Sequence, residues 1–201
     1  MCRYPHLDVV CDRRCRVSVG TPFPEVLGAA RAGAAWAFEV LYRELAPAVT
    51  GYLRLHGAVE PDDLASETFL AVFTGLGSFD GDENGFRAWV FTIAHRRLVD
   101  DWRRRGRRPD TTAWDDETEH GRIGGDVEQE ALASLGTERA HQLCAALPAD
   151  QRTVLLLRIL ADLTVEQVAA VMGRSAQAIK ALQRRGLATL RSELDRTGAP
   201  L

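Results

Sequence analysis

Residues 110 to 138 carry nine acidic side chains (Asp110, Asp115, Asp116, Glu117, Glu119, Asp126, Glu128, Glu130 and Glu138) against Arg122 alone. A stretch so charged, with several glycines and no sustained apolar periodicity, cannot bury enough surface to offset the entropy lost on ordering it, so it reads as a flexible tether. Whatever folds in this chain of 201 residues must therefore fold on either side of it, as two small units. Hydrophobic residues make up 46% of the sequence, enough to give each unit a core.

Before the acidic stretch, WAFEVLYRELAPAVTGYLRLH (36 to 56) spaces its apolar residues helically, and PDDLASETFLAVFTGL (61 to 76) opens with a proline and two acids suited to a helix N-terminus. A third helix is expected over FRAWVFTIAHRRLVDDWRRRGRR (86 to 108). After the acidic stretch, LPADQRTVLLLRILADL (147 to 163) is followed by a short helix begun by Thr164, with Gln167 three residues on in a capping-box pattern, and ended by Gly173. Ser175 caps a last helix to about Leu194, with Ile179, Leu182, Leu187, Leu190 and Leu194 as its expected buried stripe. Strand alternation of useful length is absent, so the expected fold class is all-α.

Charge is blocked along the chain, which matters more to partners than the formal net charge of −3. Between Arg96 and Arg108 stand seven arginines against Asp100 and Asp101. The last helix carries Lys180, Arg184, Arg185 and Arg191, with no acid from 174 to 191. Gln177, Lys180, Ala181 and Arg184 lie at i, i+3, i+4 and i+7, hence on one face, and include side chains suited to base edges and phosphates. Helix, short turn at MGRS, basic helix is the layout of a helix-turn-helix; a plain helical hairpin with a solvated basic face is the bland alternative.

DDLASETFLAVF, then FRAWVFTIAHRRLVDDWRRR, then LPADQRTVLLLRILADLTVEQVAAVMGRSAQAIKALQRRGLATLR together resemble the extracytoplasmic-function (ECF) sigma factors, small members of the bacterial sigma-70 family. The resemblance covers roughly residues 34 to 108 and 138 to 194. It implies a promoter-specificity subunit of RNA polymerase. The layout would be an N-terminal extension (1 to 24, expected disordered), a sigma region 2 bundle (25 to 108), the acidic linker (109 to 137) and a sigma region 4 helix-turn-helix (138 to 196). Region 2 would bind the polymerase clamp and the minus-ten element, and region 4 the minus-thirty-five element. An anti-sigma partner is implied as well.

Carried onto this sequence, the resemblance assigns minus-thirty-five contacts to Ser175, Gln177, Lys180, Ala181, Arg184 and Arg185. It assigns minus-ten contacts to Thr92, His95, Arg96, Arg97, Val99, Arg103 and Arg104, with Phe86, Trp89, Val90 and Ile93 anchoring that helix in its core. Family members commonly have asparagine where Arg96 stands, so the base preference of the minus-ten element does not carry over. Trp102 could stack on bases, but ordinary core packing is the expectation. On the second helix, Leu64, Thr68, Val72 and Leu76 form a core stripe, while Asp63, Glu67, Leu70 and Thr74 form an acidic stripe with a central leucine that matches the family's polymerase-binding position. The bland alternative is a solvated face.

Other classes are disfavoured. No nucleophile-base pairing, phosphate-binding glycine loop or isolated carboxylate pair suggests an enzyme. The longest strongly apolar run, VLLL at 154 to 157, is far too short to span a bilayer, and the arginine-bearing N-terminus does not read as a signal peptide, so a cytoplasmic location is expected. Cys2, His6, Cys11 and Cys15 have ligand chemistry, but their spacing fits no zinc signature, and no metal or cofactor is expected. A stand-alone helix-turn-helix regulator remains the alternative; it would give no role to the first two motifs.

Overall fold

The computed structural model describes residues 10–12, 16–18, 22–106 and 138–197. The expected linker, the end of the arginine cluster at 107 and 108, and Cys2, His6 and Cys15 lie outside the described residues.

Four helices precede the acidic stretch: α1 (Phe23–Arg31), α2 (Ala35–Leu55), α3 (Pro61–Gly75) and α4 (Glu83–Arg104). Four follow within the described residues: α5 (138–145), α6 (Ala149–Ile159), α7 (Val165–Met172) and α8 (Ala176–Thr197). The helical expectation holds, with one addition. Val10–Asp12 and Arg16–Ser18 pair as a short antiparallel hairpin, Cys11 opposite Val17, in the segment expected to be disordered. A valine in each three-residue strand supplies some β preference, yet a lone two-stranded hairpin is marginal by itself, and strands this short give no alternation to read in advance.

Local chemistry sets the boundaries. Pro61 occupies the first turn of α3, where its missing N–H costs nothing, and Asp62 and Asp63 sit at the positive end of the helix dipole. Asp82 caps α4 by accepting from the Gly85 amide at 2.7 Å. The helix stops at Arg104 rather than running through 108, because Gly106 turns the chain at a φ of 64°. Thr164 and Gln167 form the reciprocal capping box of α7, and Gly173, left-handed at φ 62°, ends it. Ser175 then accepts from the Ala178 amide at 3.2 Å and starts α8.

Tyr52, Leu53, Phe69, Val72, Phe86, Val90, Phe91 and Leu98 fill the core of α1–α4. In the second half, Leu147, Val154, Leu157, Leu163, Val168 and Ile179 do the same. Of the expected α8 stripe, Ile179 and Leu182 are buried and Leu190 and Leu194 half-buried, but Leu187 is 46% exposed, and Gly186 faces α6 instead. The two helices approach so closely there that a Cβ at 186 would lie 2.9 Å from Leu155 Cδ1, so the buried row runs Ile179, Leu182, Gly186 and turns Leu187 outward.

The two halves also pack on each other. His56 Nε2 at the end of α2 lies 2.9 Å from Thr153 Oγ1 of α6, Gln167 of α7 donates to the Asn84 carbonyl of α4 at 3.2 Å, and Gly51 of α2 faces Leu160.

Candidate nucleic-acid interface

On α8, Gln177, Lys180 and Arg184 are exposed along one face and Ala181 is half-buried between them, as the helical spacing required. Ser175, itself exposed, orients the N-terminus of this helix through its capping bond. Lys180 and Arg184 have no ion-pair partner among the described residues, and Arg185 makes only a long contact to the Ala181 carbonyl at 3.4 Å. Free cations on a capped, exposed helix that follows a glycine turn suit phosphate and base contacts.

The arginines of α4 are arranged differently. Arg103 pairs with Asp100 at 3.3 Å, while Arg104 (3.6 Å) and Arg105 (2.9 Å) converge on Asp101, whose side chain is buried. The cluster is therefore partly internal. A buried carboxylate needs its cations, and Arg105 in particular is committed to the fold. Arg97 reaches across to Glu67 of α3 at 2.7 Å, so a residue of the expected DNA face and one of the expected polymerase face hold each other. Arg96 is exposed and has no ion pair among the described residues, whereas Thr92 and Val99 beside it are half-buried.

His95 of the expected minus-ten set points inward. The Tyr52 hydroxyl lies 2.8 Å from its Nδ1; burial raises the tyrosine pKa and lowers that of His95, so a neutral phenol donates to a neutral ring. Trp102 packs as expected, its ring stacked 6.0 Å from that of His56. Phe86 and Val90 are buried, and Trp89 and Ile93 lie against the core.

On α3 the two stripes separate cleanly. Leu64, Thr68 and Val72, with Leu76 just past the helix end, are buried, while Asp63, Glu67, Leu70 and Thr74 are exposed, with Leu70 at 69%.

A family profile for sigma-70 region 2 matches residues 41–108, and one for sigma-70 region 4 matches 145–192. The ECF RNA polymerase sigma factor SigD of Mycobacterium tuberculosis is 32% identical over 89% of this chain and 87% of its own length. This chain is an ECF sigma factor of the sigma-70 family. The ECF sigma factor BldN of Streptomyces coelicolor is 32% identical over 83% of the chain and 63% of its own length. Among solved structures, that of CnrH in complex with the cytosolic domain of CnrY superposes with a TM-score of 0.61 at 25% identity, covering 86% of this chain and 96% of that one.

An ECF sigma factor is a promoter-specificity subunit of RNA polymerase and performs no chemistry of its own; its polymerase and promoter DNA are its partners. No described helix is long and apolar enough to cross a membrane. Two residues of structural weight escaped the sequence reading. Asp101 was legible in principle, because acid and arginine at i and i+4 mark a pair. His56 was not: a lone histidine at a helix end carries no signal until Thr153, far along the chain, arrives beside it.

Proposed function

We propose that this sigma factor reads the minus-thirty-five element with α8 and the minus-ten element with α4, and holds core polymerase through the exposed stripe of α3. Residues 138 to 196 then form the minus-thirty-five unit, residues 25 to 108 the clamp and minus-ten unit, and the acidic stretch of 109 to 137 joins them. Gln177, Lys180 and Arg184 meet base edges, Arg185 clamps a phosphate, Ser175 fixes the helix entry and Ala181 permits close approach. On α4, Arg96 is the outward cation with no ion pair among the described residues; Arg103, Arg104 and Arg97 contribute through charge while paired, and Thr92, Val99 and His95 shape the surface behind them. Asp63, Glu67, Leu70 and Thr74 meet the polymerase, with Leu70 as the desolvated centre.

The observation that carries this reading is the contrast between α8 and α4: free cations around Gln177 on one, a largely ion-paired arginine cluster above a packed aromatic core on the other. The first suits sequence readout in a groove, and the second a rigid, positively charged platform for strands being separated. The factor works in the cytoplasm, where its polymerase is. A protein inhibitor of the anti-sigma class is the further partner we infer, in keeping with the complex that the similar protein CnrH forms with CnrY. In a transcription assay with purified core polymerase, the factor should confer initiation at a selected promoter. A simultaneous Gln177→Ala, Lys180→Ala, Arg184→Ala change should abolish minus-thirty-five dependence while leaving binding to core enzyme intact. Binding to promoter DNA with wild-type affinity in the absence of polymerase, and no initiation with it, would overturn the reading in favour of a stand-alone regulator.

A further inference from the structure

α1 (Phe23–Arg31) lies wholly before residue 41, where the match to the region 2 profile begins, and neither the exposed stripe of α3 nor the DNA face of α4 draws on it. Its last residue nevertheless reaches far along the chain. The Arg31 guanidinium donates through Nη2 to the Phe79 carbonyl and through Nε to that of Leu76 at 3.4 Å, 48 and 45 residues away. These carbonyls bracket the 3-10 turn Leu76–Ser78, which with residues 79–82 is the whole connection between α3 and α4. A connection with glycines at 77 and 81 has many conformations to choose from, and a planar fork that spans two of its carbonyls selects one.

The same turn sets the start of α4. Phe79 stacks on Trp89 with ring centroids 5.2 Å apart and meets Phe86 edge-on at 5.4 Å. Trp89 in turn lies against the last turn of α3, where a Cβ at Gly75 would stand 3.2 Å from its Cζ2. α1 closes the cluster from the other side, with the Phe23 ring 5.6 Å from that of Phe86. The angle between α3 and α4 is thus fixed by a turn and an aromatic cluster that α1 holds twice, at the backbone through Arg31 and at the rings through Phe23.

That angle matters because α3 carries the stripe assigned to polymerase and α4 the surface assigned to separating strands. Where a step depends on aligned groups, a displacement of about 1 Å can cost roughly a hundredfold in rate. We propose that Arg31 is a positioning residue for strand separation: by clamping the Leu76 and Phe79 carbonyls it holds α4 at the angle to α3 that opening of the minus-ten region requires, without itself touching DNA or polymerase. The inference rests on the assignment of α3 to polymerase and of α4 to the minus-ten element.

Arg31→Gln removes the charge and the fork, whereas Arg31→Lys keeps the charge as a point donor that cannot span both carbonyls. Each variant is combined with core polymerase on two templates: a duplex promoter that the wild-type factor opens, and the same promoter with its minus-ten region mismatched so that the strands are already apart. At saturating factor, Arg31→Gln should slow opening of the duplex roughly tenfold, read from the permanganate reactivity of unpaired thymines. Its affinity for core enzyme and its melting temperature should stay at wild-type values, because Arg31 is exposed. Arg31→Lys should recover only part of the rate, and both variants should initiate like wild type on the mismatched template. Wild-type opening by Arg31→Gln, an equal defect on both templates, or a loss confined to core affinity would overturn the proposal. So would full recovery by Arg31→Lys together with a lower salt slope for Arg31→Gln, which would make Arg31 a direct phosphate contact. Failure of the wild-type factor to open the duplex with core polymerase would instead strike at the functional assignment.

Discussion

Gly186 offers a quantitative check of the packing that carries α8. A Cβ there would stand 2.9 Å from Leu155 Cδ1, 3.2 Å from its Cγ and 3.4 Å from Gln151 Cβ. Gly186→Ala therefore sets two effects against each other. Replacing a mid-helix glycine by alanine is worth about 0.5–1 kcal/mol through backbone entropy. Forcing a methyl into this contact costs about 1–3 kcal/mol, because Leu155 is 3% exposed and cannot swing into solvent. The clash should win, leaving a net loss of about 1 kcal/mol. Leu155→Ala alone should cost about 2–5 kcal/mol through the cavity it leaves. In that background the sign of Gly186→Ala must reverse, since its methyl now fills vacated space and only the helix gain remains. The coupling between the two sites should be about 1–3 kcal/mol. Urea unfolding of all four proteins, followed by circular dichroism at a common m-value, measures the cycle. Additive effects, or stabilisation of the wild-type background by Gly186→Ala, would refute the reasoning that close approach of α6 and α8 selects glycine here.

Leu70→Asp should weaken binding to core polymerase by tenfold or more without changing the melting temperature, as measured by co-elution and thermal unfolding, because the leucine is exposed and supports nothing inside. Arg96→Ala should lower the salt slope of promoter binding by about 1 with stability unchanged, whereas Arg105→Ala should cost about 3 kcal/mol in unfolding experiments by leaving Asp101 buried beside a weaker partner. Arg184→Ala should cost about 1–3 kcal/mol on the preferred minus-thirty-five sequence and relax one position in a selection of bound sequences, while Arg185→Ala weakens all sequences alike. Acid should loosen the structure through His56. Burial, with Arg152 and His95 adding to it, lowers its pKa from 6.5 to about 3, so the exposed ring takes a proton in a range where the buried ring does not. The stabilisation is whole above pH 6.5 and is lost as pH falls toward 3, at about 1.4 kcal/mol per pH unit. Half-buried His95, lowered by burial but held up by Asp150, acts in the same direction. Melting temperature against pH should show a steep fall across this window that His56→Gln reduces.

Much of this molecule was legible in its residues because the signals were local. The Thr164–Gln167 capping box, the left-handed Gly173, the Ser175 cap and the paired stripes of α3 depend on neighbours within one or two helical turns, and each stands where the spacing put it. Charge blocks are equally local, and they marked α8 as a cationic face. Contacts between residues distant in sequence were not legible. Gly186 displaces Leu187 from the buried row because of Leu155 on another helix; His95 turns to Tyr52; and His56 is closed off by Thr153, 97 residues away. Periodicity tells a side chain which face of its own helix it occupies, but not which helix will cover that face or how closely. Only packing decides that, and here it also decided that Arg87 and Arg97 of α4 reach the carboxylates of Glu44 on α2 and Glu67 on α3.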